Sequence, residues 1–213
     1  MNDLNLHLEQ YILEITGPED EVLEKLNRYT HLKVMHPRML SGHLQGQILR
    51  MLCTMIHPDK ILEIGTYTGY SAICLAKGLK EGGILHTIEI NDELSDISTR
   101  YIKNSGLEDK IRLHTGDAKS IIPTIDETFD LVFLDGEKSE YLSYYHLFFD
   151  KVKTGGFIFA DNVLWSGKVL KEEKNNDYFT KGIKEFNEFI KNDHRIEKVI
   201  LPVRDGLMIL RKL

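Results

Sequence analysis

Apolar residues recur every three to four positions through the first 56 residues, then give way to short apolar runs separated by amphipathic stretches. Leu4, Leu8, Tyr11, Ile12 and Ile15 share one helical face over residues 3–15, and Val22, Leu23, Leu26 and Tyr29 do so over 21–32. Gly17-Pro18 parts the two, with Pro18 suited to the opening turn of the second. Leu44, Ile48, Leu49, Leu52 and Met55 predict a third helix over about 41–56, ending before Pro58. Beyond residue 60 the strand candidates are Ile61–Ile64, Ile84–Ile90, Ile111–Thr115, Leu131–Leu134, Gly156–Ala160, Lys198–Leu201 and Leu207–Leu210. Helix candidates at about 69–80, 92–104, 118–125 and 139–152 separate the first five strands, and another lies at about 177–192.

Repeated β-α units with continuously apolar strands predict an α/β fold whose mainly parallel sheet is covered on both faces. The last two strands are joined only by Pro202-Val203-Arg204-Asp205-Gly206, too short for a parallel crossover, so they form an antiparallel hairpin. The expected organisation is a single domain over 1–213, with a helical cap at 1–57 and a sheet core at 58–213. The polar segment Lys168–Asn176 reads as a solvated loop or as a loop that closes over substrate.

Composition narrows the class. An apolar fraction of 42% and a charged fraction of 28% are ordinary for a globular protein. No apolar stretch approaches the roughly 20 residues of a membrane span. The sequence opens Met1-Asn2-Asp3-Leu4-Asn5, without the basic and apolar regions of a secretory signal, so a cytoplasmic protein is expected. The two cysteines, Cys53 and Cys74, sit in apolar helical patterns and are expected as buried free thiols in a reducing compartment. A net charge of −6 argues against a nucleic-acid or anionic-membrane surface.

In such sheets ligands bind beyond the carboxyl ends of the strands. The first strand runs into Glu63-Ile64-Gly65-Thr66-Tyr67-Thr68-Gly69-Tyr70-Ser71. Its glycine spacing does not match the dinucleotide G-x-G-x-x-G, which weakens a pyrophosphate site and with it a nicotinamide-dependent dehydrogenase. Glu63 lies in an otherwise apolar strand, where a carboxylate requires a cation. The ammonium group of a methionine moiety is one such cation; a buried Arg or Lys is the alternative. Glu89, closing the second strand, is placed to accept both hydroxyls of an adenosine ribose. After the third strand comes Gly116-Asp117-Ala118, where a small residue would border an adenine and Asp117 would serve equally as a helix cap.

The fourth strand ends Asp135-Gly136-Glu137-Lys138 and the fifth Asp161-Asn162. Adjacent parallel strands lie about 4.8 Å apart. Asp135, Asp161 and Asn162 would then converge as an all-oxygen set suited to Mg²⁺. Helix capping and turn formation would account for any one of these residues, but less well for three at two strand ends. Lys138 begins a helix, where its charge opposes the macrodipole, which points to a functional role, with a solvated lysine as the alternative.

From about residue 30 onward the sequence resembles the cation-dependent class I O-methyltransferases of the caffeoyl-CoA and catechol type. The stretches that carry the resemblance are Met39-Leu40-Ser41-Gly42-His43-Leu44-Gln45-Gly46-Gln47, Glu63 to Ser71, Asp135 to Lys138, Asp161-Asn162-Val163-Leu164-Trp165, and Leu201-Pro202-Val203-Arg204-Asp205-Gly206. The resemblance implies a Rossmann-like seven-stranded sheet with an antiparallel last strand, S-adenosylmethionine as methyl donor, and a divalent cation (Mg²⁺, Mn²⁺ or Ca²⁺). It implies cofactor contacts from the Ser41 backbone, Glu63, Gly65, Thr66, Tyr67, Ser71, Glu89, Ala118 and Asp135. Metal ligation falls to Asp135, Asp161 and Asn162, catalysis to Lys138 with Asp135, and the assembly to a homodimer.

Three departures concern the acceptor side. Asp135-Gly136-Glu137-Lys138 stands where the plant enzymes read Asp-Ala-Asp-Lys, and Leu164-Trp165-Ser166-Gly167 where they read Leu-Trp-Asn-Gly. His43-Leu44-Gln45 replaces an acidic stretch. The expected partner is a small catechol-like or phenolic acceptor, with neither nucleic acid nor membrane. A nucleic-acid-modifying protein would need a basic groove with stacking aromatics, and here Lys and Arg are scattered among acids.

Overall fold

The computed structural model describes residues 3–172 and 176–213, with side chains from residue 7 onward. Among these residues the chain forms eight α-helices and a seven-stranded sheet in the order β3-β2-β1-β4-β5-β7-β6. The helices are α1 (Asp3–Ile15), α2 (Glu21–Lys33), α3 (Gly42–Ile56), α4 (Tyr70–Ala76), α5 (Ser95–Asn104), α6 (Ala118–Ile121), α7 (Tyr141–Phe148) and α8 (Tyr178–Asn192). The strands are β1 (Lys60–Ile64), β2 (Ile84–Glu89), β3 (Ile111–Thr115), β4 (Phe129–Leu134), β5 (Val152–Ala160), β6 (Ile196–Leu201) and β7 (Leu207–Lys212). β1 to β5 pair in parallel, and β7 runs antiparallel to both β5 and β6, as the short connection required.

Asp20 caps α2, its side chain accepting the Val22 N–H at 3.0 Å, and His31 and Lys33 close the helix at its negative end. Alternation along the strands divides the core in two. Leu62, Ile64, Val132, Leu134, Ile158 and Ala160 face α7 and α8. Ile61, Leu131, Phe133 and Phe159 face the layer built from α2, α3, α4 and α5. Gly46 allows α3 to lie close on α4; a Cβ there would stand 2.7 Å from the Tyr70 ring and 2.8 Å from Cys74 Sγ. Cys53 and Cys74 are free and buried, as expected. No described helix is long and apolar enough to cross a membrane.

Several boundaries differ from the sequence expectation. The helix expected over 69–80 stops at Ala76, because Gly78 and Leu79 turn back through bonds to Leu75 O (2.9 Å) and Ala76 O (3.3 Å). The one expected over 118–125 is a four-residue α6 followed by a 3-10 turn over Ile122–Thr124, with Pro123 unable to donate to an α-helical ladder. That expected over 139–152 is α7 between two 3-10 turns, and Val152 already belongs to β5. Residues 153–156, which include Gly155-Gly156, form an irregularity within that strand, where the pairing jumps from Phe129↔Val152 to Leu131↔Phe157. Of the expected loop Lys168–Asn176, residues 173–175 lie outside the described residues. Lys168–Leu170 completes a 3-10 turn begun at Trp165.

Candidate active site

Strand order reverses around β1, whose neighbours β2 and β4 are reached by crossovers in opposite directions, and the carboxyl ends of β1, β2, β4 and β5 open there. Strand parity decides which side chains meet. Glu63 follows Ile61, Glu89 follows Leu85 and Thr87, Asp135 follows Leu131 and Phe133, and Asp161 follows Phe157 and Phe159. All four carboxylates therefore leave the sheet on the face covered by α3 and α4. The ladder continues past the strands: Asp135 N donates to Ile64 O at 2.9 Å and Asp161 N to Leu134 O at 3.0 Å. That register sets Asp135 beside Asp161, since Leu134 pairs with Ala160.

Glu63 is fully buried. Its Oε2 accepts from Thr87 Oγ1 at 2.5 Å, and Thr66 Oγ1 lies 2.5 Å from the same hydroxyl. Its Oε1 has no partner, and among the described residues no lysine or arginine pairs with it, so the alternative of a buried basic partner is not realised. Burial pushes its carboxyl up to about 7, helped by the charges of Asp135 and Glu89, while the Ser71 and Thr87 hydroxyls pull the other way.

The turn after β1 is held by Gly65 N and Thr66 N, both donating to Ile88 O (2.9 and 3.2 Å). Gly65 has φ +104, and a Cβ on it would stand 2.4 Å from Asp135 O, so only glycine lets the β1 and β4 exits touch. Glu89 ties the turn to β2, accepting from Tyr67 N (2.6 Å) and Asn91 N (2.9 Å). Burial raises the Glu89 carboxyl, and these backbone donors oppose the shift. Ser71 is buried in α4, Ser41 immediately precedes α3, and Ala118 opens α6 behind Asp117, which caps it through Lys119 N (2.9 Å).

At β4 and β5, Lys138 Nζ donates to Asp135 Oδ1 at 2.6 Å and to the Tyr141 hydroxyl at 2.7 Å. The Tyr141 hydroxyl in turn faces Leu134 O and Asp161 O, each at 3.1 Å, so one buried ring fastens both strand ends. Asp161 is 4% exposed; its Oδ2 accepts from Gln45 Nε2 at 2.7 Å, and its Oδ1 has no partner. Burial and then the neighbouring Asp135 charge push its carboxyl up to about 6, against Lys138, the Gln45 bond and the Asn162 backbone. Asn162 takes φ +59, a left-handed turn that asparagine tolerates, and Trp165 and Ser166 repeat it at +46 and +51. Trp165, three residues after Asn162, meets Phe179 of α8 edge-on at 6.3 Å.

The strand ends thus bring together Glu63, Gly65, Thr66, Tyr67, Glu89, Asp135, Lys138, Asp161 and Asn162, with Ser41, Ser71 and Ala118 on the flanking helix starts. Sequence reading missed Tyr141, Gln45 and Arg204. Tyr141, three residues after Lys138, had a local signal as a polar tip on an apolar helix; Gln45 and Arg204 lie in stretches that carry the family resemblance, but nothing local pairs them.

A doubly wound sheet with acidic side chains at its first and second strand ends defines a class I methyltransferase. The chain belongs to the O-methyltransferase family, matching it over residues 13–213. Caffeoyl-CoA O-methyltransferase of Medicago sativa is 34% identical over 97% of this chain and 88% of its own, and caffeoyl-CoA O-methyltransferase 5 of Nicotiana tabacum is 33% identical over 97% and 91%. Among solved structures, the Bacillus cereus O-methyltransferase in complex with SAH superposes with a TM-score of 0.89 at 30% identity, covering 97% of each chain. TomG of Streptomyces achromogenes, an O-methyltransferase in complex with SAM, does so at 0.89 and 26%, covering 97% of this chain and 96% of that one. This protein is an S-adenosylmethionine-dependent O-methyltransferase.

Proposed function

We propose that the chain methylates one hydroxyl of a vicinal diol on a small phenolic acceptor with the help of a divalent cation. The observation that carries this reading is the buried Oδ1 of Asp161, unpartnered and beside Asp135. Two neighbouring carboxylates, Asp161 being raised by its burial and by the Asp135 charge, with Asn162 next in the chain, suit a hard cation such as Mg²⁺, Mn²⁺ or Ca²⁺. Among the described residues no group of three or more His, Cys, Asp or Glu is arranged to hold a metal ion, and this set does not need one, because its third ligand would be an amide oxygen. Asp135, Asp161 and Asn162 would hold the ion, which when bound lowers the pKa of a coordinated hydroxyl.

In this reading the unpartnered Oε1 of Glu63 receives the cofactor ammonium, with Ser71 at its carboxylate and the Ser41 backbone alongside. Gly65, Thr66 and Tyr67 line its turn, Glu89 takes the ribose hydroxyls and Ala118 borders the adenine. Lys138 accepts the proton of the reacting hydroxyl, and the packed strand ends set the in-line approach to the methyl group. Trp165 and Phe179 favour an aromatic acceptor. The relatives are named for caffeoyl-CoA. The three sequence departures, around His43, Gly136 and Ser166, put an acyl-CoA substrate in doubt and favour a free phenol over that thioester.

The deciding experiment is methyl transfer from S-adenosylmethionine to catechols, caffeate, flavonoids and caffeoyl-CoA, with Mg²⁺ or Mn²⁺ and with EDTA. Activity on a diol that EDTA abolishes and metal restores is expected; full activity in metal-free buffer removes the cation from the reading. A homodimer, for which the exposed Leu8, Tyr11, Ile12, Leu13 and Ile15 of α1 supply apolar surface, and a cytoplasmic location complete the proposal.

A further inference from the structure

Two side chains from distant parts of the chain converge on Asp161. Gln45, in α3 and 2% exposed, donates Nε2 to Asp161 Oδ2. Arg204, in the turn between β6 and β7, donates Nη1 to Gln45 Oε1 at 2.9 Å, to Leu40 O at 3.0 Å and to Ser41 O. The direction of this relay is fixed by chemistry. A guanidinium only donates, so Gln45 must turn its oxygen to Arg204 and its NH₂ to Asp161. With Oδ2 occupied in this way, Oδ1 is left buried and without a partner, the oxygen available to a ligand. Arg204 also keeps φ +49, a conformation that favours glycine, at a position where a glycine would relieve the backbone and lose the contact.

We propose that Gln45 and Arg204 are positioning residues. Gln45 aims the Asp161 carboxylate, and Arg204 orients Gln45 while holding the Ser41 backbone, so that one guanidinium couples the cation side of the site to the cofactor side. This inference rests on the cation reading given above. Outer partners of a ligating carboxylate typically change metal affinity by about 10–100-fold when removed. A plain tether between the β6–β7 turn and α3 would change melting temperature and leave metal affinity alone.

The test measures Mn²⁺ binding by electron paramagnetic resonance and S-adenosylhomocysteine binding by calorimetry, without turnover, in wild type, Asp161→Asn, Gln45→Leu and Arg204→Gly. Gln45→Leu is expected to weaken Mn²⁺ by about 10–100-fold and leave S-adenosylhomocysteine affinity unchanged. Arg204→Gly is expected to weaken both, and sub-denaturing guanidinium chloride to restore part of its Mn²⁺ affinity. Should Gln45→Leu fail to fold, Arg204→Gly and its guanidinium rescue decide the question alone. Wild-type Mn²⁺ affinity in Gln45→Leu and Arg204→Gly, with binding lost in Asp161→Asn, overturns the positioning role and leaves the cation reading standing. No Mn²⁺ binding in wild type, or undiminished binding in Asp161→Asn, overturns both.

Discussion

Glu63→Gln is expected to make the cofactor-free protein more stable and the cofactor complex weaker. In the fold Glu63 is completely buried with one oxygen unpartnered, and its carboxyl titrates near 7 instead of near 4.5. Between those values the native state keeps a proton that the unfolded chain has lost, so stability falls as pH rises through this window and levels off above it. Fully developed, the penalty is about 3 kcal/mol. Glutamine keeps the shape without the charge, so its advantage over wild type should be near zero at pH 4.5 and grow to about 3 kcal/mol by pH 8. Urea denaturation of both proteins across that range measures it. Cofactor binding should show the reverse pattern. A lost charge-assisted hydrogen bond costs about 1.5–3 kcal/mol, or roughly 10–150-fold in S-adenosylhomocysteine affinity at pH 8. Wild-type affinity should weaken below pH 7 as Glu63 takes up its proton, whereas the glutamine variant should be flat there. A stability difference that does not change with pH would refute the burial argument. Undiminished cofactor affinity in the variant would refute the ammonium assignment.

Lys138→Met should lower kcat by about 10²–10⁴-fold with little change in S-adenosylhomocysteine affinity, and Lys138→Arg should not restore it, because a guanidinium cannot accept a proton. Strong rescue by arginine in steady-state assays near neutral pH would reassign Lys138 to holding Asp135 electrostatically. Gly65→Ala should abolish measurable cofactor binding and lower the melting temperature, since its Cβ meets Asp135 O at 2.4 Å in a conformation already unfavourable to alanine. Calorimetry and a thermal melt check both, and wild-type behaviour would mean that the β1 and β4 exits separate freely.

The sequence by itself determined the alternation of strands and helices, the antiparallel hairpin and the carboxylates at the strand ends. These rest on local periodicity and loop length, which a linear pattern records. That Glu63, Glu89, Asp135 and Asp161 share one face follows from strand parity only once the pairing register is known. Boundaries were less legible where competing hydrogen bonds decide them, as at Ala76, at Pro123 and in the irregular start of β5. Only the tertiary structure decided which oxygens are left free. Gln45 and Asp161 are 116 residues apart, and Arg204 and Gln45 are 159 apart, so no local pattern announces their contact. The Tyr141 hydroxyl has a local signal, but what it fastens is decided by a helix packed under two strands it does not belong to. A side chain's chemistry is written in the sequence; whether its hydrogen bonds are already satisfied depends on neighbours that packing alone brings within reach.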